Sequence, residues 1–125
     1  MAIRYELRQH EPDITVATLT GQLNLGNRLA EFEHNIRQRI AEGTRKIILD
    51  LTGLTYIDSA GLGMVAACAG IIFKEGGKLV VVSPGAKITQ AFEITRLNRV
   101  IDIYPDFDAA CAAFSPPTAA TSEPS

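Results

Sequence analysis

Ser59 is the residue of this sequence whose surroundings most favour chemistry. Asp58 precedes it, Ala60, Gly61 and Gly63 follow it, and the segment lies between a predicted buried strand and a predicted apolar helix. A hydroxyl at a helix N-terminus can carry a covalent phosphate, because unpaired backbone N–H groups and the helix dipole favour negative charge there. The spacing of these residues leaves two interpretations equally open. Either Asp58 or Ser59 only caps the helix, or the Ser59 hydroxyl is modified.

Catalytic sites of the common kinds fit the sequence poorly. Residues 61–66 match a G-x-G-x-x-A dinucleotide motif, but the first glycine does not closely follow the strand. A nucleophile elbow needs a glycine two positions before the serine, where this chain has Ile57. His10 and His34 are predicted beside a turn and on a helix surface, and no cluster of His, Cys or acids has metal-ligand spacing. We therefore predict a binding module without metal or cofactor, not an enzyme.

The elements that position this segment follow from apolar periodicity. Alternating or continuous apolar segments predict five strands, at 3–8, 14–20, 46–51, 78–82 and 100–104. Helical spacing predicts four helices, which begin near residues 25, 59, 83 and 107. Strands that alternate with helices after an initial hairpin predict an α/β fold. Its mixed sheet has an antiparallel hairpin and parallel central strands, with about four helices packed against it.

The first and third helices have specific start signals. The first is predicted to bury one stripe of residues, which are Leu25, Leu29, Phe32, Ile36 and Ile40. Asn24 or Asn27 is predicted to be its N-cap, since an amide oxygen can accept from the free N–H groups of the first turn. Ser83 followed by Pro84 predicts the start of the third helix in the same way.

The second helix is unusual because Ser59 to Phe73 contains no charged residue. A stripe that runs from Leu62 to Phe73 is predicted to face the sheet, and Met64 and Cys68 are predicted to lie on other sides. A helix that is apolar nearly all round is either covered by its neighbours or presents a docking surface. Both interpretations stay open, and the second places Ser59 at the edge of that surface.

Length and composition narrow the class of protein. The 125 residues predict one domain, over 1–114, followed by a Pro-, Ala-, Ser- and Thr-rich tail at 115–125 that is predicted to be disordered. A formal net charge of -2 gives no reason to expect nucleic acid. Cys68 and Cys111 are predicted to be reduced. No signal peptide or membrane span is predicted, so we expect a soluble cytoplasmic protein without membrane insertion.

The segment Leu49 to Gly63, LDLTGLTYIDSAGLG, carries a family resemblance. With segments 19–24, 76–80 and 92–97, it resembles a STAS domain of the anti-sigma factor antagonist type. The likeness covers Ile3 to Phe114, almost the whole chain outside the predicted tail. It implies a small mixed sheet with helices on one side.

The resemblance also implies a function. Ser59 matches the serine that a partner phosphorylates, and this partner is both a serine kinase and an anti-sigma factor. The unmodified protein is expected to bind that partner and so free the sigma factor, phosphorylation to end the binding, and a serine phosphatase to restore it. Asp58 is expected to orient the serine, and the two glycines to let the kinase approach. The expected partner-binding residues are Asn24, Asp58, Ser59, Ala60, Gly61, Leu62, Gly63 and Met64.

Two positions depart from the usual pattern of the family. Ala60 replaces a common second hydroxyl, which leaves Ser59 as the single acceptor, and Asn24 replaces a common acid. Similar domains also serve as constitutive subunits of lipid-transport or stress-signalling complexes, without a phosphorylated serine. That role is the alternative hypothesis, and a small cofactor-binding enzyme is a third.

Overall fold

The computed structural model describes residues 3–10, 12–83 and 85–114. The strands are β1 (Arg4–His10), β2 (Ile14–Leu23), β3 (Lys46–Ile57), β4 (Lys78–Val82) and β5 (Ile103–Tyr104). The helices are α1 (Asn27–Ala41), α2 (Ser59–Lys74), α3 (Ala86–Ile94) and α4 (Phe107–Ala113), and a 3-10 turn (Leu97–Arg99) precedes β5. The predicted tail lies outside the described residues. Within them, no helix is both long and apolar enough to cross a membrane.

The sheet has the strand order β1-β2-β3-β4-β5. β1 and β2 form an antiparallel hairpin, and β2, β3, β4 and β5 then run parallel to one another. The predicted fold class is confirmed. Since parallel strands end at the same edge of a sheet, the residues that follow β2, β3 and β4 lie at one end of the molecule.

β3 is longer than the sequence predicts, because it continues past Leu51 to Ile57. Leu54 and Ile57 are both buried although they lie three residues apart, which breaks the period of a regular strand. The register between β2 and β3 shifts twice in this stretch and absorbs the mismatch. Gly53 makes one shift possible, since a Cβ there would lie 2.6 Å from Cγ2 of Thr20. β3 therefore runs directly into the segment that contains Ser59.

Helices cover both faces of the sheet. The larger core joins α1, α2 and α3 to strand residues such as Ile47 and Leu49. The smaller core joins Ala110 of α4 to Ile48 and Val80, which point to the opposite face. The resemblance implies helices on one side only, so α4 is a correction to that expectation. Its apolar residues cover strand side chains that alternate with those under α1 and α2.

α1 buries four of the five predicted residues, which are Leu29, Phe32, Ile36 and Ile40. Leu25 is the exception: it precedes the helix and is 80% exposed. The N-cap is Gly26, with no side-chain hydrogen bond, so the predicted Asn24 cap is wrong and Asn27 is instead the first helical residue. Leu25 has the sequence spacing of the buried stripe, but it is not part of the helix.

α3 also begins later than predicted. Gly85 is its N-cap and Ala86 its first residue, so Ser83 does not cap it. Ser83 is instead buried, and its hydroxyl accepts from the Thr89 hydroxyl at 3.1 Å. Pro84 lies outside the described residues.

α2 is covered mainly by its neighbours. Leu62, Val65 and Ile72 are buried as predicted. Met64 and Cys68 are also buried, at 4% and 1% exposure, because α1 packs against that side of α2. The predicted burial of Phe73 is wrong, since 75% of it is exposed near the C-terminal end of α2.

Candidate functional site

Ser59 is the first residue of α2 and is exposed. Its hydroxyl makes no hydrogen bond to any residue that the structure describes. The first turn of α2 contains no acidic side chain, and backbone N–H groups at such a position favour an anion. A reagent approaching from solvent therefore meets an unengaged hydroxyl at the positive end of a 16-residue helix.

Asp58 is the N-cap of α2, so it and not Ser59 caps the helix. Its Oδ1 atom accepts a hydrogen bond from the N–H of Gly61 at 2.8 Å, and its Oδ2 atom accepts one from the N–H of Leu25 at 3.1 Å. The backbone N–H of Asp58 also donates to the carbonyl oxygen of Leu23 at 3.1 Å. The carboxylate thus joins the end of β3 to the loop after β2, and both oxygens serve backbone groups rather than the Ser59 hydroxyl.

Gly61 and Gly63 are glycines for different reasons. A Cβ at Gly61 would lie 2.5 Å from the carbonyl oxygen of Leu23, so this glycine lets α2 begin against the end of β2. A Cβ at Gly63 would meet no atom of the described chain within 4 Å, and Gly63 is exposed. The predicted room for an approaching kinase fits Gly63, whereas the space at Gly61 is taken by internal packing.

Three other predicted contact residues are partly or fully covered. Ala60 is half-buried against the larger core. Leu62 is 8% exposed and Met64 is 4% exposed, and both belong to that core. Their side chains support the start of α2 from beneath, and they are not available at the surface as the sequence-based docking hypothesis expects.

The loop after β2 supplies the other side of the site. Asn24 is half-buried, and its Nδ2 atom donates to Oε1 of Gln22 at 3.5 Å. Leu25 follows it and is tied to Asp58 through the backbone. Because Leu23 and Leu25 on either side of it both bond to Asp58, Asn24 lies near the start of α2.

Sequence reasoning missed two exposed apolar residues of this region. Leu25 is 80% exposed and Tyr56, three residues before Ser59, is 44% exposed. Leu25 could have been suspected from Gly26, which can start a helix and so leave Leu25 outside the buried stripe. Tyr56 carries no such signal, because the register shifts in β3 decide which side chains face solvent.

The two histidines lie on other elements than Ser59, His10 on β1 and His34 on α1. His10 stacks edge to face on Phe107, with ring centroids 5.2 Å apart, at the end of the sheet opposite Ser59. His34 is exposed on α1. Among the described residues, no group of three His, Cys, Asp or Glu side chains could hold a metal ion. The carboxylate nearest to Ser59 in sequence, that of Asp58, accepts backbone hydrogen bonds from Gly61 and Leu25.

A family model described as "STAS domain" matches residues 5–110. The chain belongs to the STAS domain family. BtrV of Bordetella bronchiseptica, which is named as an anti-sigma factor antagonist, is 31% identical to this STAS domain over 99 residues. The match covers 79% of this chain and 84% of BtrV. The resemblance inferred from the motif around Ser59 is confirmed.

Solved structures share the fold of this STAS domain. An anti-sigma factor antagonist from Mycobacterium paratuberculosis is 25% identical, with a TM-score of 0.78 over 90% of this chain and 93% of that one. The Bacillus cell fate determinant SpoIIAA in its phosphorylated form has a TM-score of 0.71 over 88% of this chain and 99% of that one. At 19% identity, the second likeness shows the fold alone.

Proposed function

We propose that this STAS domain is an anti-sigma factor antagonist that Ser59 switches. In the unmodified state it binds an anti-sigma factor that is also a serine kinase, and the sigma factor is released. Phosphorylation of Ser59 ends that binding, and a serine phosphatase restores it. The observation that carries the proposal is the exposed Ser59 hydroxyl, which has no partner in the described chain and lies at the N-terminus of α2.

Phosphorylation at Ser59 would alter the surface more than the fold. A phosphate adds a charge of about -1.5 to -2 at pH 7. The exposed side chain can carry it without moving the buried Leu62 or Gly61, and the helix N-terminus favours it. A partner packed on Ser59 would instead have to desolvate the phosphate beside Asp58. A penalty of about 3 kcal/mol lowers affinity more than a hundredfold.

The proposed contact surface consists of the exposed parts of two loops. Leu25 supplies the most exposed apolar side chain next to the start of α2. Ser59 and Gly63 are the exposed members of the first α2 turns, and Asn24 and Ala60 border them. A mostly apolar surface with few charges suits partner binding, and it makes added negative charge at Ser59 costly. Leu62 and Met64 shape this surface from below.

The proposal assigns the protein a binding role, with no catalysis, cofactor, nucleic acid or membrane insertion. Asn24 leaves Asp58 as the acidic side chain of the site, and both its oxygens already accept backbone hydrogen bonds. The kinase would therefore recognise the backbone shape and the apolar surface more than charge. Ala60 leaves it a single hydroxyl to modify.

The test combines the purified protein with its cognate kinase and ATP and measures intact mass. Wild type should gain the mass of one phosphate, and Ser59→Ala should gain none. In binding titrations with the anti-sigma factor, Ser59→Asp should lose about a hundredfold in affinity, whereas the neutral Ser59→Asn of similar size should lose less than about fivefold. An unmodified wild type, beside an antagonist that the same enzyme preparation does phosphorylate, would favour the constitutive STAS subunit instead.

A further inference from the structure

β1 is an edge strand whose outer side is open in the described part of the chain. It pairs with β2 on one side only, and this pairing is regular over all seven residues, with neither a bulge nor a proline. The opposite edge of the sheet is β5, which has only two residues. A long, regular edge strand presents a row of backbone donors and acceptors that can pair with a further strand.

The side chains of β1 divide between the two faces of the sheet. Tyr5 and Leu7 are half-buried on the face that α1 covers. Arg4, Glu6 and Arg8 are exposed on the other face. Charged residues on edge strands commonly oppose pairing, but here their signs alternate, so whether they oppose or favour a second strand depends on the register.

When two copies of β1 pair antiparallel, the two-fold axis that relates them must pass beside one residue and not between two residues. Only then do the side chains of each cross-strand pair lie on the same face of the joined sheet. Centring on Leu7 lets all seven residues pair and places Glu6 opposite Arg8 of the second copy, twice. Centring on Glu6 places Glu6 opposite itself and Arg4 opposite Arg8. Centring on Tyr5 or Arg8 pairs fewer residues of β1. Opposite charges favour a cross-strand pair and like charges disfavour it.

We propose that two copies of this chain pair antiparallel through β1, centred on Leu7, and so join their sheets into one. The half-buried Leu7 then contacts Leu7 of the second copy and removes its remaining apolar surface from water. Glu6 and Arg8 form two equivalent charge pairs on the other face. The occupant of the edge is a second copy because the strand's own charge sequence is complementary to itself in this register.

This pairing leaves the Ser59 surface free. β3 runs parallel to β2, and β2 runs antiparallel to β1, so the β3 strands of the two copies point in opposite directions. The two Ser59 residues then lie at opposite ends of the joined sheet. The dimer presents two separate Ser59 sites. Dimerisation through β1 does not depend on what Ser59 does.

The first test is a concentration series of the full chain by sedimentation equilibrium. Wild type should dimerise, and Glu6→Arg should raise the dimer dissociation constant at least about tenfold, since both cross-strand pairs become repulsive. The double variant Glu6→Arg with Arg8→Glu restores opposite charges and should return to within about threefold of wild type. The neighbours of these residues on β2 are Thr18 and Val16, which are neutral, so the reversal creates no like-charge pair between β1 and β2. It does place an arginine beside Arg4 on the same face of β1 and removes the Arg8 side chain from the Phe107 ring, so urea denaturation of each variant should first show that it is folded.

The second test measures which residues of the two β1 strands lie opposite each other. In a Cys111→Ser background, Leu7→Cys should form a disulfide-linked dimer under mild oxidation, because directly opposite residues have Cα atoms about 4.5–5.5 Å apart. Gln9→Cys should not, since its copies would be about 13 Å apart. A wild type that stays monomeric at millimolar concentration would overturn the proposal. Equal crosslinking at both positions, or a dimer that Glu6→Arg leaves unchanged, would do the same.

Discussion

The Oδ2 atom of Asp58 accepts a hydrogen bond from the backbone N–H of Leu25 at 3.1 Å, across 33 positions of sequence. The other carboxylate oxygen caps α2 through Gly61. One side chain thus satisfies a helix terminus and fixes the neighbouring loop. The exposed Leu25 and the start of α2, where Ser59 lies, are held in one arrangement because the N–H groups of Leu25 and Gly61 both donate to this carboxylate.

Replacing Asp58 by Ala should destabilise the protein more than an ordinary loss of a cap. Both backbone N–H groups lose their acceptor, and we expect a decrease of about 2 kcal/mol in the free energy of unfolding. Asp106→Ala is the matched control, because Asp106 caps α4 through a single bond to the N–H of Ala109 at 2.8 Å. Its cost should be about 1 kcal/mol. Urea denaturation measures both, and equal losses would contradict the tethering role of Asp58.

Alanine at Gly61 and at Gly63 should have opposite effects. The Gly61→Ala methyl group would overlap the carbonyl oxygen of Leu23, so α2 must shift and the free energy of unfolding should fall by about 1–3 kcal/mol. Gly63→Ala meets open space within a helix and should raise it by up to about 1 kcal/mol. Thermal and urea unfolding of the two variants check the signs. Destabilisation by Gly63→Ala would contradict the open surroundings.

The order of elements could be predicted because each has a local cause. Alternation at β1 and β2 gives the hairpin, and the apolar strands that alternate with helices give the parallel part of the sheet. The length of β3 could not be predicted, since its two register shifts depend on the pairing with β2 and not on the sequence of β3 alone. The face of the sheet that α4 covers also depends on tertiary structure, and the packing of Ala110 on Ile48 and Val80 shows which face it is.

The location of the site could be predicted from the sequence, but the burial and packing of its residues could not. Ser59 stands out because of its neighbours in sequence, and its place at the start of α2 follows from the apolar run. The burial of Met64 depends on α1, which packs against α2 from a distant part of the chain. The role of Gly61 depends on Leu23 at the end of β2. Both facts need the tertiary structure.

Cys68 should be inert in the folded protein. Burial in the core raises the pKa of its thiol to about 12, with a smaller contribution from Glu33. At pH 8 about one thiol in ten thousand is then ionised, and the thiolate is the reactive form. Burial also raises the pKa of Cys111, but this residue is half-exposed. A thiol reagent at pH 8 should therefore label Cys111 in native protein and Cys68 only after unfolding.

The variant Cys111→Ser provides the control for this prediction. It should show no labelling until denaturant is added, and then one thiol. Raising the pH from 8 to 9 should speed labelling of wild type at Cys111, since more of that thiol ionises. Rapid labelling of native Cys111→Ser would mean that α1 and α2 separate more readily than their packing indicates.

Leu25→Ser should weaken binding to the anti-sigma factor without weakening the fold. The side chain is 80% exposed, so its replacement leaves the core and the N–H bond to Asp58 intact. Under the proposed function, an exposed leucine at the centre of a contact surface contributes about 1–2 kcal/mol, which corresponds to a loss of affinity of about tenfold. Calorimetric titration measures the affinity, and urea denaturation should show an unfolding free energy within about 0.5 kcal/mol of wild type.

Ile94→Ser is the control for Leu25, because Ile94 is 76% exposed and is the last residue of α3, which is not part of the proposed contact surface. It removes a similar apolar area and should leave the affinity unchanged. If both variants bind as wild type does, the contact surface does not include the loop after β2. If Ile94→Ser alone weakens binding, the partner docks on α3 and not on the surface around Ser59, which would contradict the proposed contact surface.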